Sequence, residues 1–217
     1  QVRDDNHYIQ GIMSWKEFLK SRNNKIELVV TLILLAVILT SLANFLNFVE
    51  ARQGVVLPDP ILALFNPINL TWLIFALIYI SLFVAIATLI KNPRQLMFAI
   101  QLYTLMVAVR IFSMYVLPLN PPVNMIMLKD PLVEFFGTGQ TLTKDLFFSG
   151  HTATLFILFL VSEKKIIKTI FLVSTVIVAI SVLLQHVHYT IDVFAAIFFT
   201  YACYKLIIKL RLNLHHV

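Results

Sequence analysis

Six long apolar stretches divide the chain and leave few architectures open to it. They run over 26–49, 70–90, 95–116, 147–161, 166–184 and 188–208. About 20 apolar residues in a helix cross the roughly 30 Å hydrocarbon core of a bilayer. With 59% hydrophobic and 13% charged residues, the composition also excludes an ordinary soluble domain. The sequence therefore predicts an all-α integral membrane bundle of six transmembrane helices.

The basic residues predict how this bundle is oriented. Six crossings place both termini on one side of the membrane, and most of the 17 lysines and arginines fall on that side. They are Arg3, Lys16, Lys20, Arg22, Lys25, Lys91, Arg94, Lys164, Lys165, Lys168, Lys205, Lys209 and Arg211. Because basic loops stay cytoplasmic, we expect both termini in the cytoplasm. The net charge of +6 then reflects topology and does not indicate a nucleic-acid partner.

We divide the chain into an N-terminal cytoplasmic or interfacial segment, 1–25, a membrane domain, 26–211, and a tail, 212–217. In the first segment, apolar residues at helical spacing around Trp15 predict a short helix in the headgroup layer. These residues are Ile9, Ile12, Met13, Phe18 and Leu19. The two long outer loops cover about 50–69 and 117–146, and their prolines make continuous helices there unfavourable.

Ionisable residues collect near the extracytoplasmic ends of three predicted spans. Arg110 lies near the end of the third span, His151 at the start of the fourth, and His188 with Asp192 at the start of the sixth. Such groups cost several kcal/mol in lipid without partners and mark functional sites. We therefore expect a site on the extracytoplasmic face, in a plasma or inner membrane.

The segment HVHYTID places His188 and Asp192 four residues apart. On a helix they share a face, so the carboxylate can accept a hydrogen bond from one ring nitrogen and leave the other nitrogen available. Such an imidazole is a metal ligand, a general base or a nucleophile, or else the pair only satisfies itself. His186 points elsewhere on a helix and is not assigned to the site.

The segment SGHT at the start of the fourth span predicts an anion site. Ser149 and Gly150 precede a helix whose first amides and positive dipole end favour a phosphate. Glycine permits close approach, and His151 in the first turn is placed to protonate an oxygen that leaves phosphorus.

SGHT together with HYTIDV resembles the catalytic motifs of the sphingomyelin synthase family, a branch of the type-2 phosphatidate phosphatase superfamily. LPDP in the first outer loop resembles the Leu-Pro-Asp motif of that branch, and RIFSMYVLP, 110–118, resembles its Arg-x-x-Thr-Met-Tyr-Val segment. Asp145, six residues before His151, also has a counterpart there. The family's Cys-Gly before this aspartate is Thr143-Lys144 here.

The resemblance implies a double displacement without a metal or other cofactor. His188 would attack the lipid phosphorus to form a phosphohistidine, and Asp192 would orient it. His151 would protonate the departing alcohol and later deprotonate the acceptor. We assign substrate binding to Arg110, Ser149, Gly150 and Asp145. The donor would be a phospholipid of the bilayer, and the acceptor a lipid alcohol (ceramide or diacylglycerol) or water; the sequence leaves the oligomeric state open.

Two alternatives remain at this point. A lipid phosphate phosphatase acting on a phosphomonoester is the first, although the basic motif of that branch is missing: Val182 follows Ser181 where arginine is expected. A non-enzymatic transporter or metal-binding membrane protein is the second. The polar residues lie near one face without a ladder across the membrane, and Ser149-Gly150 is typical of anion sites, so an enzyme is favoured.

Overall fold

The helices follow the apolar stretches of the sequence. The computed structural model describes residues 13–129 and 142–215, with side chains up to residue 212. Its helices are α1 (Trp15–Phe18), α2 (Arg22–Ala51), α3 (Thr71–Leu89), α4 (Pro93–Val116), α5 (Gly150–Val161), α6 (Lys165–Leu184) and α7 (Thr190–His215), with a 3-10 turn at Leu62–Leu64. The described ranges contain no extended strand, so the all-α prediction is confirmed for them.

Five of these helices are long and apolar enough to cross a membrane. They are α2, α3, α4, α6 and the part of α7 up to Leu212. Helix α5 has only 12 residues, which gives about 18 Å at 1.5 Å per residue. That length is too short to span the hydrocarbon core alone. The sixth crossing and the cytoplasmic location of both termini therefore stay predictions.

The fourth predicted span begins later as a helix than its apolar run suggests. The run starts at Phe147, but α5 starts at Gly150. Leu146, Phe148 and Ser149 enter the bundle as non-helical backbone and are at most 3% exposed. The carbonyl of Phe148 accepts a hydrogen bond from Arg110 Nε at 2.9 Å. Irregular backbone is tolerated at membrane depth where protein groups satisfy it, as they do here.

Helices α3 to α7 share one apolar core. Its fully buried members include Phe98, Leu102, Leu155, Val178, Val182 and Ala196. Large apolar side chains also cover the outside, where Trp72 is 78% and Phe83 is 74% exposed. In a bundle of helices that are long enough to cross a membrane, such exposed residues form the surface that faces lipid.

Helix α2 lies at the periphery, against α4. Only 6% of its apolar window is buried, so polar contacts matter for its attachment. Arg211 Nη2 donates to Glu27 Oε1 at 2.9 Å and to Gln101 Oε1 at 2.7 Å. Gln101 Nε2 in turn donates to Thr31 Oγ1 at 3.0 Å. Hydrogen bonds of this kind hold helices together in lipid, where apolar burial between helices contributes little.

The described part of the N-terminal segment, 13–25, contains the single helical turn α1 and the first four residues of α2. Ser14 and Glu17 form a capping box at α1, and Phe18 is 1% exposed. Trp15 Nε1 donates to the carbonyl of Ile90 at 2.6 Å, which docks this turn on the connection between α3 and α4. Ile9 and Ile12, which also carry the prediction of a headgroup-layer helix, lie outside the described residues.

The two outer loops pair with each other through backbone hydrogen bonds. The amide of Val55 donates to the carbonyl of Pro118 at 2.9 Å, and that of Asn120 donates to Val55 at 3.0 Å. This close approach needs Gly54, because a Cβ atom there would lie 2.5 Å from the carbonyl carbon of Leu119. Real Cβ atoms are never that close to backbone, so the loops must separate if a side chain is added.

Replacing Gly54 by alanine is therefore expected to destabilise the outer loops by roughly 1 to 3 kcal/mol, the usual cost of overpacking. The midpoint of thermal unfolding in detergent should fall accordingly. Gln53→Ala is the matched control, because Gln53 is the exposed neighbour. Equal midpoints for the two variants would contradict the prediction.

Candidate active site

His188 and Asp192 form a buried pair at the start of α7. The helix begins at Thr190, so His188 lies in the preceding turn and not inside the helix as predicted. The pair nevertheless meets: Nδ1 of His188 is 3.2 Å from Oδ2 of Asp192. The amide of Tyr189 donates to the same oxygen at 3.1 Å. Because Nδ1 faces the carboxylate, Nε2 of His188 is the nitrogen that can meet a substrate.

His151 lies opposite this pair, in the first turn of α5. The ring centroids of His151 and His188 are 6.5 Å apart, and the two rings are inclined by 62°. Phe75 of α3 packs edge-on against His151, with centroids 5.9 Å apart. Reacting groups approach to about 3 Å before bond formation. The two imidazoles therefore lie close enough for one small group to contact both.

A backbone hydrogen bond joins the two helix starts that carry these histidines. The amide of Ser149 donates to the carbonyl of Asp192 at 3.2 Å. Ser149 is fully buried and is the N-cap of α5, where its hydroxyl accepts from the amide of Thr152 at 3.4 Å. The N-cap thus already occupies one of the amides that the sequence predicts for phosphate binding.

The guanidinium of Arg110 packs against the first residue of α5, and Arg110 is 6% exposed. Its Nη2 donates to Oδ1 of Asp145 at 2.5 Å, and its Nε donates to the carbonyl of Phe148. A Cβ atom on Gly150 would lie 2.9 Å from Cζ of Arg110. The absence of a side chain at Gly150 therefore lets the guanidinium lie against the first turn of α5.

The ion pair keeps Asp145 charged. Burial alone would raise the pKa of Asp145. The positive charge of the adjacent Arg110 guanidinium and its hydrogen bond lower this pKa by a larger amount, so the net pKa lies below the ordinary value. The side chain of Asp145 remains 29% exposed. The pair therefore presents one positive and one negative group to the site and has little net charge of its own.

A cavity of about 500 Å³ leads away from these residues between α2, α3, α4 and α5. At one end it is lined by Arg110, Asp145, Gly150 and His151. The rest of its wall is mostly apolar and includes Leu35, Ile78, Leu82, Met106, Ile157 and Leu158. A molecule that fills this cavity has a polar end and an apolar body.

The structure brings together all the residues predicted for the site and separates two others from it. Lys144, which precedes Asp145 in the chain, donates from Nζ to the carbonyl of Arg52 at 2.7 Å. Its amide and that of Thr143 donate to Glu50, which the sequence did not single out. His186 lies with Nδ1 3.2 Å from the carbonyl of Val123 and its ring against Phe65.

Sequence reasoning missed Phe75 and a role for Asp59. Phe75 is one of many phenylalanines in an apolar run, so nothing in the sequence distinguishes it as a neighbour of His151. Asp59 accepts hydrogen bonds from the amide and hydroxyl of Thr190 at 2.6 and 3.0 Å. Its membership of the LPDP segment is a signal, but the sequence does not show which helix it reaches.

Residues 144–209 match a family model described as the PAP2 superfamily C-terminal domain. The match covers less than a third of the chain and includes His151, His188 and Asp192. No curated protein and no solved structure matches the chain. For these residues the match supports the type-2 phosphatidate phosphatase superfamily, and the five long apolar helices are those expected of an integral membrane protein.

Proposed function

We propose that this protein is a membrane lipid phosphotransferase, or a phospholipase C-type enzyme, that cleaves a phospholipid phosphodiester through a phosphohistidine. One observation carries the proposal: His188, which Asp192 orients, lies beside His151 with the two ring centroids 6.5 Å apart. Both residues stand at helix starts, and His151 lines the polar end of an apolar cavity. The sphingomyelin synthase-like motifs of the sequence favour this branch of the superfamily.

The reaction takes two displacements. In the first, Nε2 of His188 forms a bond to phosphorus while the bond from phosphorus to the glycerol oxygen breaks, and His151 gives a proton to that oxygen. In the second, His151 takes the proton of an acceptor hydroxyl, whose oxygen bonds to phosphorus as the bond to His188 breaks. His151 thus acts first as an acid and then as a base. Asp192 keeps the imidazole oriented and offsets its positive charge while it carries phosphorus.

The charges around the cavity favour a diester over a monoester. Arg110 is the sole lysine or arginine that lines it within the described ranges, and Asp145 neutralises Arg110. Residues 130–141 contain no lysine or arginine that could add to it. A phosphomonoester dianion needs more compensating charge in a low-dielectric site than a diester monoanion does. The donor is therefore a phospholipid diester.

The apolar body of the cavity supports a lipid donor. Its walls come from α2, α3, α4 and α5, and α2 is the peripheral helix. A lipid then enters sideways from the bilayer, with its acyl chain along Leu35, Ile78 and Leu82 and its phosphate at His151. By the positive-inside rule this end faces the extracytoplasmic side. The acceptor is a lipid alcohol, such as ceramide or diacylglycerol, or water.

The runner-up is a lipid phosphate phosphatase, which the superfamily match favours as strongly. We expect the purified protein to release or transfer a phospho-headgroup from a diester phospholipid at least about tenfold faster than it releases inorganic phosphate from phosphatidate. Both assays use the same vesicles, with the His188→Gln variant as the blank. Release of inorganic phosphate from phosphatidate with intact diesters would establish the phosphatase instead. Turnover of neither lipid, without an acid-labile phosphoadduct, would favour the non-enzymatic alternative.

A further inference from the structure

The turn between α6 and α7, residues 185–189, carries His188 and is held by both outer loops. Gln185 is fully buried: its Oε1 accepts from the amide of Leu70 at 2.9 Å, and its Nε2 donates to the carbonyl of Ile126 at 3.1 Å. The hydroxyl of Tyr189 accepts from the amide of Leu57 at 3.2 Å and donates to the carbonyl of Asn120 at 2.9 Å. These bonds fix the turn on its loop side.

Asp59 holds the other end of the same segment. Its Oδ2 accepts from the amide of Thr190 at 2.6 Å, and its Oδ1 accepts from the hydroxyl of Thr190 at 3.0 Å. The amide of Ile61 also donates to Oδ1, at 3.0 Å. Thr190 is the first residue of α7, so a carboxylate from the distant first outer loop caps this helix. An N-cap acceptor satisfies a free amide, and a negative charge there stabilises the helix dipole.

This cap is ionised at neutral pH. Burial raises the pKa of Asp59, but hydrogen bonds from the amides of Thr190, Leu62 and Ile61 and from the Thr190 hydroxyl outweigh it, so the net pKa lies below the ordinary value. Because several donors from two segments converge on one carboxylate, Asp59 ties the LPDP loop rigidly to the first turn of α7.

The position of this cap connects it to the reaction. Thr190 lies midway between His188 and Asp192, which share one direct hydrogen bond of 3.2 Å across the helix start. Fraying of the first turn of α7 would change the distance between Nδ1 and Oδ2 and turn the imidazole away from His151. We propose that Asp59 is a positioning residue, which acts through Thr190 to hold His188 in register with Asp192. Its effect on turnover rests on the proposed function.

The test combines variants on both sides of the cap. Asp59→Ala is expected to lower kcat about 10- to 100-fold with a KM change of less than about threefold, because a misplacement of the order of 1 Å costs about that much. Asp59→Asn keeps an acceptor oxygen and should recover part of the loss. Thr190→Val removes one donor and should be milder, and Thr190→Ser should restore the rate. The double variant Asp59→Ala, Thr190→Val should be little worse than Asp59→Ala alone.

Asn69→Ala is the matched control. Asn69 lies in the same outer loop, and its Oδ1 accepts from the amide of Thr71, the first residue of α3, at 3.1 Å. Its loss removes a side-chain acceptor from the first amide of a helix, as Asp59→Ala does, but without touching α7, so kcat should stay within about threefold of the parent. An equal loss of kcat in Asn69→Ala and Asp59→Ala would overturn the positioning role, as would full activity of Asp59→Ala.

A second readout does not depend on turnover. Carbethoxylation by diethyl pyrocarbonate, located by mass spectrometry, gives the ratio of labelling at His188 to labelling at His151. His188 is 2% exposed, and the ratio should rise at least about threefold in Asp59→Ala and remain unchanged in Asn69→Ala. A parent protein that turns over no lipid would refute the proposed function, while the labelling ratio still decides the role of Asp59. An unchanged ratio in Asp59→Ala would refute that role.

Discussion

Replacing His188 by glutamine is expected to abolish headgroup release and transfer, with kcat/KM reduced by at least about 10⁴-fold, as for the loss of an enzyme nucleophile. Glutamine keeps a donor for Asp192 and nearly the same volume, which matters because His188 is 2% exposed. The loss then comes from the missing nucleophile. His188→Ala should be equally inactive but less stable, because it leaves a cavity beside Asp192.

The measurement is direct detection of the covalent intermediate. A phospholipid with isotopic phosphorus in its headgroup phosphate is mixed with the protein, quenched rapidly and tested for an acid-labile, base-stable adduct. Peptide mass spectrometry then locates the adduct, which should lie on His188 and be missing from His188→Gln. An adduct that persists in this variant would refute the assignment of the nucleophile.

His186→Gln is the matched control for this substitution. His186 lies two residues away, is also buried, and contacts Val123 and Phe65. The same change of side chain there should lower the rate by less than about tenfold. If both variants lost activity to the same extent and showed the same thermal midpoint, the effect would belong to the turn as a whole and not to a nucleophile.

His151→Gln separates the two displacements. With a natural donor, the rate should fall about 10²- to 10⁴-fold, the usual contribution of a general acid or base. With a nitrophenyl diester, whose leaving group needs no proton, formation of the adduct on His188 should largely recover while its breakdown stays slow. The adduct should therefore accumulate. No such recovery is expected for His188→Gln, so the two histidines are distinguishable by substrate alone.

The sequence predicted the helical class and the proximity of His151 to the His188–Asp192 pair, because both depend on patterns that hydropathy and spacing report. Apolar runs locate helices in a membrane, and polar residues such as His151 and His188 are tolerated there only when they meet partners. The starts of α5 and α7 were less predictable. Apolar residues continue through Phe147 and Phe148 although the helix begins at Gly150. Hydropathy does not show where side chains of another segment, such as Arg110, satisfy the hydrogen bonds of non-helical backbone.

The partners of the charged residues were not predictable either. Arg110 and Asp145 are 35 residues apart, and Asp59 and Thr190 are 131 apart. No periodicity connects positions on different helices and loops, so these contacts follow only from packing. The pairing changes the chemistry: a lone arginine would suggest a phosphate clamp, whereas an arginine bound to aspartate provides less net charge.

Two explanations apply to the presence of glycine at position 150. The sequence suggests that glycine permits phosphate to approach the start of α5. The structure adds that a Cβ atom would lie 2.9 to 3.1 Å from Cζ, Nη1 and Nη2 of Arg110. The guanidinium cannot retreat without cost, because Phe148 and Asp145 both hold it. Gly150 therefore sets the position of the cation beside His151.

Gly150→Ala is accordingly expected to lower kcat/KM about 10- to 100-fold. The added methyl group pushes the guanidinium away from the helix start and weakens its bonds to Phe148 and Asp145. The thermal midpoint should fall as well, because the methyl group overpacks against a guanidinium that Phe148 and Asp145 hold in place. Steady-state kinetics with the diester donor, together with thermal unfolding, measures both quantities. Thr154→Ala is the control for a change in the same cavity wall and should retain most of the rate.

The double variant Gly150→Ala, Arg110→Lys tests the steric explanation. Lysine has a slimmer end group that leaves room for the methyl, so Gly150→Ala should cost less in the lysine background than in the parent. The two substitutions would then be non-additive, as expected for groups in direct contact. Additive losses would mean that Gly150 acts on phosphate and not on Arg110. In that case the amide end of α5, and not the guanidinium, is the group that binds the anion.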